Sequence, residues 1–85
     1  MYWVYIIKSE LHSKLYIGRT NDLSKRLKDH NSGRSPSTKK YIPWKPVYIE
    51  GYAVEQDAKD REEKMKYFGK VYSQLKIRIR RSLRS

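Results

Sequence analysis

This chain of 85 residues contains no cysteine, four glycines, three prolines and nine acidic residues against 20 basic ones. The absence of cysteine excludes disulfide bonds and zinc sites built on cysteine. No apolar run approaches the ~20 residues that a membrane-spanning helix requires. The shortage of acidic residues leaves a net charge of +11, which favours a polyanionic partner, either nucleic acid or an anionic membrane surface.

The length fits one small domain with a modest hydrophobic core. Met1 leads directly into strand-like sequence, without the charged and apolar regions of a signal peptide, so we expect a cytoplasmic protein. A membrane is the weaker of the two candidate partners, because no apolar segment could insert into it. We therefore expect a monomer that binds DNA, with RNA as an alternative.

Two short apolar runs, residues 2–8 and Leu15–Arg19, are separated by a polar stretch, which predicts two strands joined by a hairpin. The first run places Val4 and Ile6 on one face and Tyr5 on the other. Because both faces of this run are apolar, we expect a central strand that is covered on both sides.

A helix is predicted to follow the second strand, with Thr20 or Asn21 as its N-cap. Gly33 is predicted to end this segment as a left-handed C-terminal residue. Arg26 and His30 are four residues apart and therefore lie on one face of this helix.

Residues 32–46 form a polar, basic loop, and a third strand is predicted over Val47–Tyr52, with Val47 and Ile49 on one face. Basic residues of the loop alternate with aromatic ones, which suits phosphate contact and base stacking. Trp44 could equally pack on the sheet, and both interpretations stay open. The candidate nucleic-acid-binding residues of the loop are Lys39, Lys40, Tyr41, Trp44 and Lys45.

A second helix is predicted over residues 55–68, and Glu62 lies on its inner stripe. A carboxylate on the apolar side of a helix is costly unless its charge is compensated. The ordinary compensation is a salt bridge, for which Arg61 or Arg26 is a candidate partner, and the alternative is a metal ion. The apolar members of this stripe are Ala58, Met65 and Phe68.

The segment from residue 70 to residue 85 contains six basic residues and no acidic one. Every fourth residue from Val71 to Leu83 is apolar, which predicts an amphipathic helix, although Leu75–Arg80 also alternates like a strand. We favour the helix, and we divide the chain into a domain over 1–69 and a basic helical extension over 70–85 that packs on it or trails from it.

The combination of Val4-Tyr5-Ile6, Tyr16-Ile17-Gly18, Arg26 and His30 resembles the small single-domain bacterial branch of the GIY-YIG endonuclease superfamily. Val4 replaces the glycine of the first tripeptide, and the second tripeptide is intact. The resemblance implies an α+β fold, a three-stranded antiparallel sheet flanked by helices in the order β-β-α-β-α-α. The strands and helices predicted above agree with that order. A later stretch of this chain, with Ala58, Arg61-Glu62 and Lys66, resembles the second sequence motif of that branch.

The resemblance also implies hydrolysis of phosphodiester bonds with one divalent cation, Mg²⁺ or Mn²⁺. Glu62 would hold this metal, because these ions prefer carboxylate oxygen and keep most of their water. Arg26 would pair with the phosphate through its planar guanidinium. Arg19 would add positive charge at the cleft.

The two tyrosines and the histidine would handle the attacking water. Tyr5 would take the proton from the water, although a free tyrosine, with a pKa of about 10, is a poor base at neutral pH. Tyr16 would orient the water or the phosphate. His30 would hydrogen-bond Tyr5 or relay its proton. Each of these side chains also has an ordinary structural alternative, since strand tyrosines usually pack in cores and a helix histidine usually lies at the surface.

We therefore expect a metal-dependent endonuclease that acts on DNA, with a role in DNA repair or recombination. The main alternative is a nucleic-acid-binding module on the same scaffold that performs no chemistry, because the basic loop and C-terminal segment could supply affinity alone. A third interpretation makes the basic C-terminal segment a contact for an acidic protein or RNA.

Overall fold

The computed structural model describes all 85 residues, and its sheet has the strand order β2-β1-β3 with both pairings antiparallel. The predicted hairpin forms from β1 (Tyr2–Ser9) and β2 (Leu15–Thr20), and β3 (Trp44–Tyr52) lies on the other side of β1. The predicted α+β fold, a three-stranded antiparallel sheet flanked by helices, is confirmed. The helices are α1 (Leu23–Asn31), α2 (Glu55–Tyr67), α3 (Gly69–Arg78) and α4 (Arg80–Arg84), and one 3₁₀ turn spans Lys39–Tyr41.

The central strand β1 is covered on both faces, as its sequence predicts. Val4 and Ile6 are fully buried in a core with apolar residues of α2 and α3. Tyr5 and Ile7 are fully buried on the opposite face, where they pack with Trp44. The alternation along one strand therefore places the catalytic candidate Tyr5 beneath α1, on the face away from the larger core.

Helix α1 begins at a different cap from the one predicted. Asp22 is the N-cap, and its carboxylate accepts a hydrogen bond from the backbone N–H of Lys25 at 3.1 Å. Thr20 instead accepts from the N–H of Asp22 at 3.0 Å, so the prediction of Thr20 or Asn21 as cap is wrong. Gly33 follows the helix with φ +81°, which confirms its predicted left-handed conformation.

Strand β3 begins three residues earlier than predicted, and it contains an irregularity opposite β1. The register changes between Ile6, which pairs with Tyr48, and Ile7, which pairs with Pro46. The extra residue, Val47, packs against the core of α2 and α3, whereas Ile49 pairs with Tyr5 on the other face. The prediction that Val47 and Ile49 share a face is therefore wrong, because a bulge reverses the alternation.

Two expectations about the helical half of the chain also change. Phe68 follows the last residue of α2 and is 59% exposed, so it does not belong to the inner stripe that Ala58 and Met65 form. The predicted C-terminal helix is interrupted at Ile79, where the backbone leaves helical geometry. Leu75 and Ile79 nevertheless pack in the same core as β1, so the 70–85 segment packs on the domain. None of the helices combines the length and hydrophobicity needed to cross a membrane.

A carboxylate on the α2 side of the sheet supports the fold. Glu50 accepts hydrogen bonds from the Tyr52 hydroxyl at 2.6 Å, from Tyr48, and from Arg61 Nε and Nη2 at 3.0 and 3.1 Å. Burial alone would raise the pKa of Glu50, but these donors outweigh it and the pKa is lowered. Ionised Glu50 therefore contributes stability above the ordinary pKa of a glutamate, and this contribution is lost as pH falls through the lowered pKa.

We expect Glu50→Gln to lower the free energy of unfolding at neutral pH by about 1–3 kcal/mol, because the half-buried Arg61 loses its charged partner. The control is Glu63→Gln, an exposed carboxylate on α2, for which no comparable loss is expected. Urea denaturation at neutral pH and at a pH below the lowered pKa of Glu50 measures both. The Glu50 variant should approach wild type at the acidic pH, and equal stability of all three proteins at neutral pH would contradict this role.

Candidate active site

The side chain of Tyr5 passes over Gly18 of β2 to reach the site. The two residues are paired in the β1–β2 ladder. A Cβ atom on Gly18 would lie 2.3 Å from the Tyr5 hydroxyl oxygen and 2.4 Å from Cζ, which is far inside van der Waals contact. The glycine of the second tripeptide therefore leaves the space through which the phenol extends towards α1.

The Tyr5 hydroxyl is the first member of a series of buried hydrogen bonds. It lies 2.7 Å from Nε2 of His30, and Nδ1 of His30 lies 2.8 Å from the hydroxyl oxygen of Thr38. Thr38 donates its only hydroxyl proton to the backbone carbonyl of Ser35 at 3.4 Å. Thr38 must then accept from Nδ1–H, so we assign Nε2 as the acceptor of the Tyr5 proton.

Burial of these side chains disfavours the charged forms of Tyr5 and His30. Burial raises the pKa of Tyr5 to about 12, although the Arg26 guanidinium acts in the lowering direction. Burial, followed by the charge of Arg26, lowers the pKa of His30 to about 4. At neutral pH Tyr5 is therefore a neutral phenol and His30 a neutral imidazole. Only roughly one Tyr5 in 10⁵ would be a phenolate at pH 7.

Arg26 extends from α1 into the space beside both tyrosines. Burial would lower its pKa, but the neighbouring Tyr5 and Tyr16 phenols, Tyr5 first, raise it instead, so the guanidinium stays charged. Its Nη2 donates to the Ser35 hydroxyl at 3.2 Å. The Tyr16 ring packs edge-on against His30, with ring centroids 5.0 Å apart. Tyr5, Tyr16, Arg26 and His30 thus come together as their spacing predicts.

Glu62 approaches the same end of the sheet from α2, with 16% of its side chain exposed. One carboxylate oxygen accepts from Arg19 Nε at 3.2 Å, and the other accepts from Lys66 Nζ at 3.1 Å. The salt-bridge alternative is thus realised, but its partners are Arg19 and Lys66, whereas Arg61 pairs with Glu50. The carboxylate is also near enough to Tyr5 to raise its pKa slightly.

The site offers a divalent cation a single carboxylate ligand. No group of three or more acidic or histidine side chains converges anywhere in the protein, so a metal would depend on Glu62 alone. One carboxylate suits Mg²⁺, which keeps several waters and takes further oxygen ligands from a substrate phosphate. Since Arg19 and Lys66 already occupy both oxygens, a metal would have to displace one of them or use a second lone pair.

The predicted binding residues of the loop divide into exposed and packed groups. Lys39 and Lys40 are exposed in the 3₁₀ turn. Tyr41 is half-buried and packs edge-on against Trp44, with centroids 6.4 Å apart. Trp44 is only 5% exposed and donates its indole N–H to the Thr38 carbonyl at 2.8 Å. Trp44 therefore packs on the sheet, which is the second of its two predicted interpretations. Lys45 is half-buried, and its ammonium group donates a hydrogen bond to the Ser85 carbonyl.

Sequence reasoning missed Ser35 and Thr38, which are 3% and 0% exposed. Through these two side chains one short loop contacts both Arg26 and His30. Their only sequence signal is a pair of hydroxyl residues three apart, the spacing of a side-chain-stabilised turn. That signal is too common in polar loops to identify a positioning role.

The part of the site that reaches solvent consists of the half-buried Tyr16, Arg26 and Glu62 and is not enclosed in a cavity, whereas Tyr5 and His30 are fully buried. None of the cavities of the protein is lined by Tyr5, Arg26, His30 or Glu62; the largest, about 400 Å³, lies beside the β1–β2 hairpin loop. An open, positively charged surface can admit an extended polymer, whereas a small molecule is usually held in a closed pocket.

Comparison with known proteins identifies the family of the chain. The profile of the GIY-YIG catalytic domain family matches residues 1–79. The UPF0213 protein CPE1444 of Clostridium perfringens is 43% identical over 63 residues, which cover 73% of this chain and 67% of that protein. The UPF0213 protein YazA of Bacillus subtilis is 30% identical over 82 residues, which cover 95% of this chain and 82% of YazA.

A solved structure shows the same fold. The solution NMR structure of the UPF0213 protein BH0048 of Bacillus halodurans superposes with a TM-score of 0.56 and 23% identity, and the match covers 93% of this chain and 85% of that one. A match over residues 1–79 includes both tripeptides, the helix that carries Arg26 and His30, and the helix that carries Glu62. The chain therefore belongs to the GIY-YIG catalytic domain family.

Proposed function

We propose that this protein is a metal-dependent endonuclease that hydrolyses phosphodiester bonds in DNA. The observation that carries the proposal is the buried hydrogen bond from Tyr5 to Nε2 of His30, next to the Arg26 guanidinium. A buried proton acceptor thus lies beside a phosphate-binding cation that is partly exposed. The net charge of +11 favours a nucleic-acid substrate.

The hydrogen-bond chain supplies a route for the proton of the attacking water. Tyr5 is fully buried in the free protein, so the half-buried Tyr16 and Arg26 side chains must shift to admit the water. The Tyr5 oxygen then accepts this proton while its own proton passes to Nε2 of His30, and the Nδ1–H of His30 remains on Thr38. No free phenolate forms, so the raised pKa of Tyr5 does not block the step. The hydroxide that results attacks phosphorus. The leaving oxygen departs on the opposite side and takes a proton from solvent, and the proton held on His30 returns through Tyr5 to solvent.

Arg26 links substrate binding to this proton transfer. Its charge helps to hold the pKa of His30 at about 4, which makes the imidazole a weak base in the free protein. A phosphate bound to Arg26 would neutralise that charge and let the pKa of His30 rise. The site then becomes a better proton acceptor only when substrate is present.

Glu62 is the residue that would hold Mg²⁺ or Mn²⁺. When bound, such an ion would stabilise negative charge on the phosphate. Arg19 and Lys66, which neutralise Glu62 in the free protein, would then be released to contact the DNA backbone. A cytoplasmic monomer acting in DNA repair or recombination remains our expectation for the biological setting.

A cleavage panel tests the proposal. Purified protein is incubated with single-stranded, duplex, flap and branched DNA and with RNA, in Mg²⁺, Mn²⁺ or EDTA. We expect cleavage of at least one DNA in the presence of metal, none in EDTA, and slower cleavage by Glu62→Gln. Glu63→Gln is the matched control, since that neighbouring carboxylate is exposed. Absence of cleavage on every substrate, or wild-type rates for Glu62→Gln, would overturn the proposal.

One observation favours a second candidate, a nucleic-acid-binding module that performs no chemistry. Both carboxylate oxygens of Glu62 are occupied by cationic side chains, so the acid could serve only to hold α2 against β2. This candidate predicts salt-sensitive binding without cleavage, unchanged by Tyr5→Phe or Glu62→Gln. A binding titration of these two variants separates it from the nuclease.

A further inference from the structure

The sheet face that carries Tyr5 is only partly covered. Ile7 and Trp44 pack in the buried cluster at one end, but the other end presents apolar side chains to solvent. Met1 is 63% exposed and Ile49 is 42% exposed, and Trp3 is half-buried beside them. We call Met1, Trp3 and Ile49 the Trp3 surface.

A glycine makes this surface flat. Gly51 of β3 pairs with Trp3, and a Cβ atom there would lie 2.7 Å from Cζ3 and 3.0 Å from Cε3 of the indole, and 3.0 Å from Cε of Met1. The six-membered ring of Trp3 therefore rests against the β3 backbone. Any larger residue at position 51 would lift the ring off the sheet.

The Trp3 surface adjoins the candidate active site. Ile49 is the direct cross-strand partner of Tyr5, and Trp3 precedes Tyr5 by two residues on the same face of β1. Two residues of a strand span about 7 Å, roughly twice the ~3.4 Å rise of one nucleotide in a strand of DNA. The Tyr5 ring extends over Gly18 of β2 and the Trp3 ring over Gly51 of β3, so the two rings point to opposite sides of β1. A DNA strand that contacts both Arg26 and Trp3 would therefore span more than one nucleotide.

We propose that the Trp3 surface stacks an unpaired base of the DNA strand that is bound at the active site. The proposal deepens the proposed function and rests on it. Aromatic rings flanked by apolar side chains bind bases of any sequence through their π-faces. The net charge of +11 favours a polyanionic partner over a second copy of this basic chain. In a duplex, neighbouring base pairs cover those faces, so the preferred substrate class has at least one unpaired nucleotide on the strand that is cleaved, as in a single strand or flap.

Tryptophan emission tests this directly, because the chain has two tryptophans and Trp44 is buried. The protein is titrated in EDTA with an oligothymidine and with an abasic oligonucleotide of equal length, which carries the same phosphates without bases. We expect quenching by the oligothymidine and no quenching by the abasic strand. The Trp3→Leu variant should show no quenching, and its affinity for the oligothymidine should be weaker by roughly 5- to 150-fold.

Phe68→Leu is the matched control, since Phe68 is an exposed aromatic residue outside the surface, and it should bind like wild type. Equal affinity for the two oligonucleotides without a change in emission would overturn the stacking surface and leave the nuclease proposal intact. Failure to bind either strand would overturn the stacking surface, and the cleavage panel described above decides the nuclease proposal separately. An emission change that follows protein concentration without DNA would assign the face to a second copy of the chain and would also overturn the proposal.

Discussion

Replacement of Tyr5 by phenylalanine is expected to lower the rate of DNA cleavage by about 10²- to 10⁴-fold, the usual range for loss of a positioned general base. The substitution removes only the hydroxyl oxygen that lies 2.7 Å from Nε2 of His30. The phenyl ring can still fill the buried space that it shares with Ile7 and Trp44. The chemical step should therefore suffer far more than the fold.

The same substitution leaves Nε2 of His30 without a donor. Since His30 is fully buried, we expect the free energy of unfolding to fall by about 1–3 kcal/mol. Single-turnover cleavage under saturating DNA measures the rate, and a thermal melt measures the stability. Tyr67→Phe is the control, because the Tyr67 side chain is 77% exposed. A folded Tyr5→Phe protein that cleaves as fast as wild type would rule out the proton relay.

Substitution of Gly18 by alanine is expected to damage stability and activity together. The added methyl carbon would lie 2.3 Å from the Tyr5 hydroxyl oxygen. The Tyr5 ring cannot withdraw without breaking its hydrogen bond to His30, because its other neighbours are buried side chains. Overpacking of this kind typically costs about 1–3 kcal/mol, and displacement of the hydroxyl should slow cleavage about as much as its removal in Tyr5→Phe.

Gly69→Ala provides the matched control on the same chain. A Cβ atom at position 69 meets no atom within 4 Å, and Gly69 is the first residue of α3, where alanine is a better helix former than glycine. We expect this variant to be at least as stable as wild type and equally active. If urea denaturation gives Gly18→Ala the same midpoint as Gly69→Ala, the Tyr5 ring is not confined as the structure indicates.

The local pattern of the chain was sufficient for its first two strands and for the helix that carries Arg26. Val4 and Tyr5 lie on opposite faces of the sheet because side chains alternate along any strand, whatever surrounds it. Arg26 and His30 share a helix face because four residues make about one turn. These relations depend only on neighbours in sequence, so they could be predicted before any tertiary contact was known.

Other features depended on which elements pack together. Phe68 continues the apolar spacing of α2 but lies beyond its last turn, and Val47 changes face because β3 bulges opposite β1. Trp44 is buried because the loop folds back over it and Thr38 accepts its indole proton. A pattern confined to one segment does not contain these contacts, since the partner in each case comes from another element.

The chain alone therefore determined the order of its elements, the faces of β1 and α1, and the set of phenols, guanidinium and imidazole that meet on them, because period and spacing are local properties. Tertiary structure alone decided that Arg19 and Lys66 neutralise Glu62 and that Thr38 sets the tautomer of His30. The physical reason is that hydrogen bonds and ion pairs require donor and acceptor within about 3 Å, and residues 43 positions apart, such as Arg19 and Glu62, reach that distance only when α2 docks beside β2.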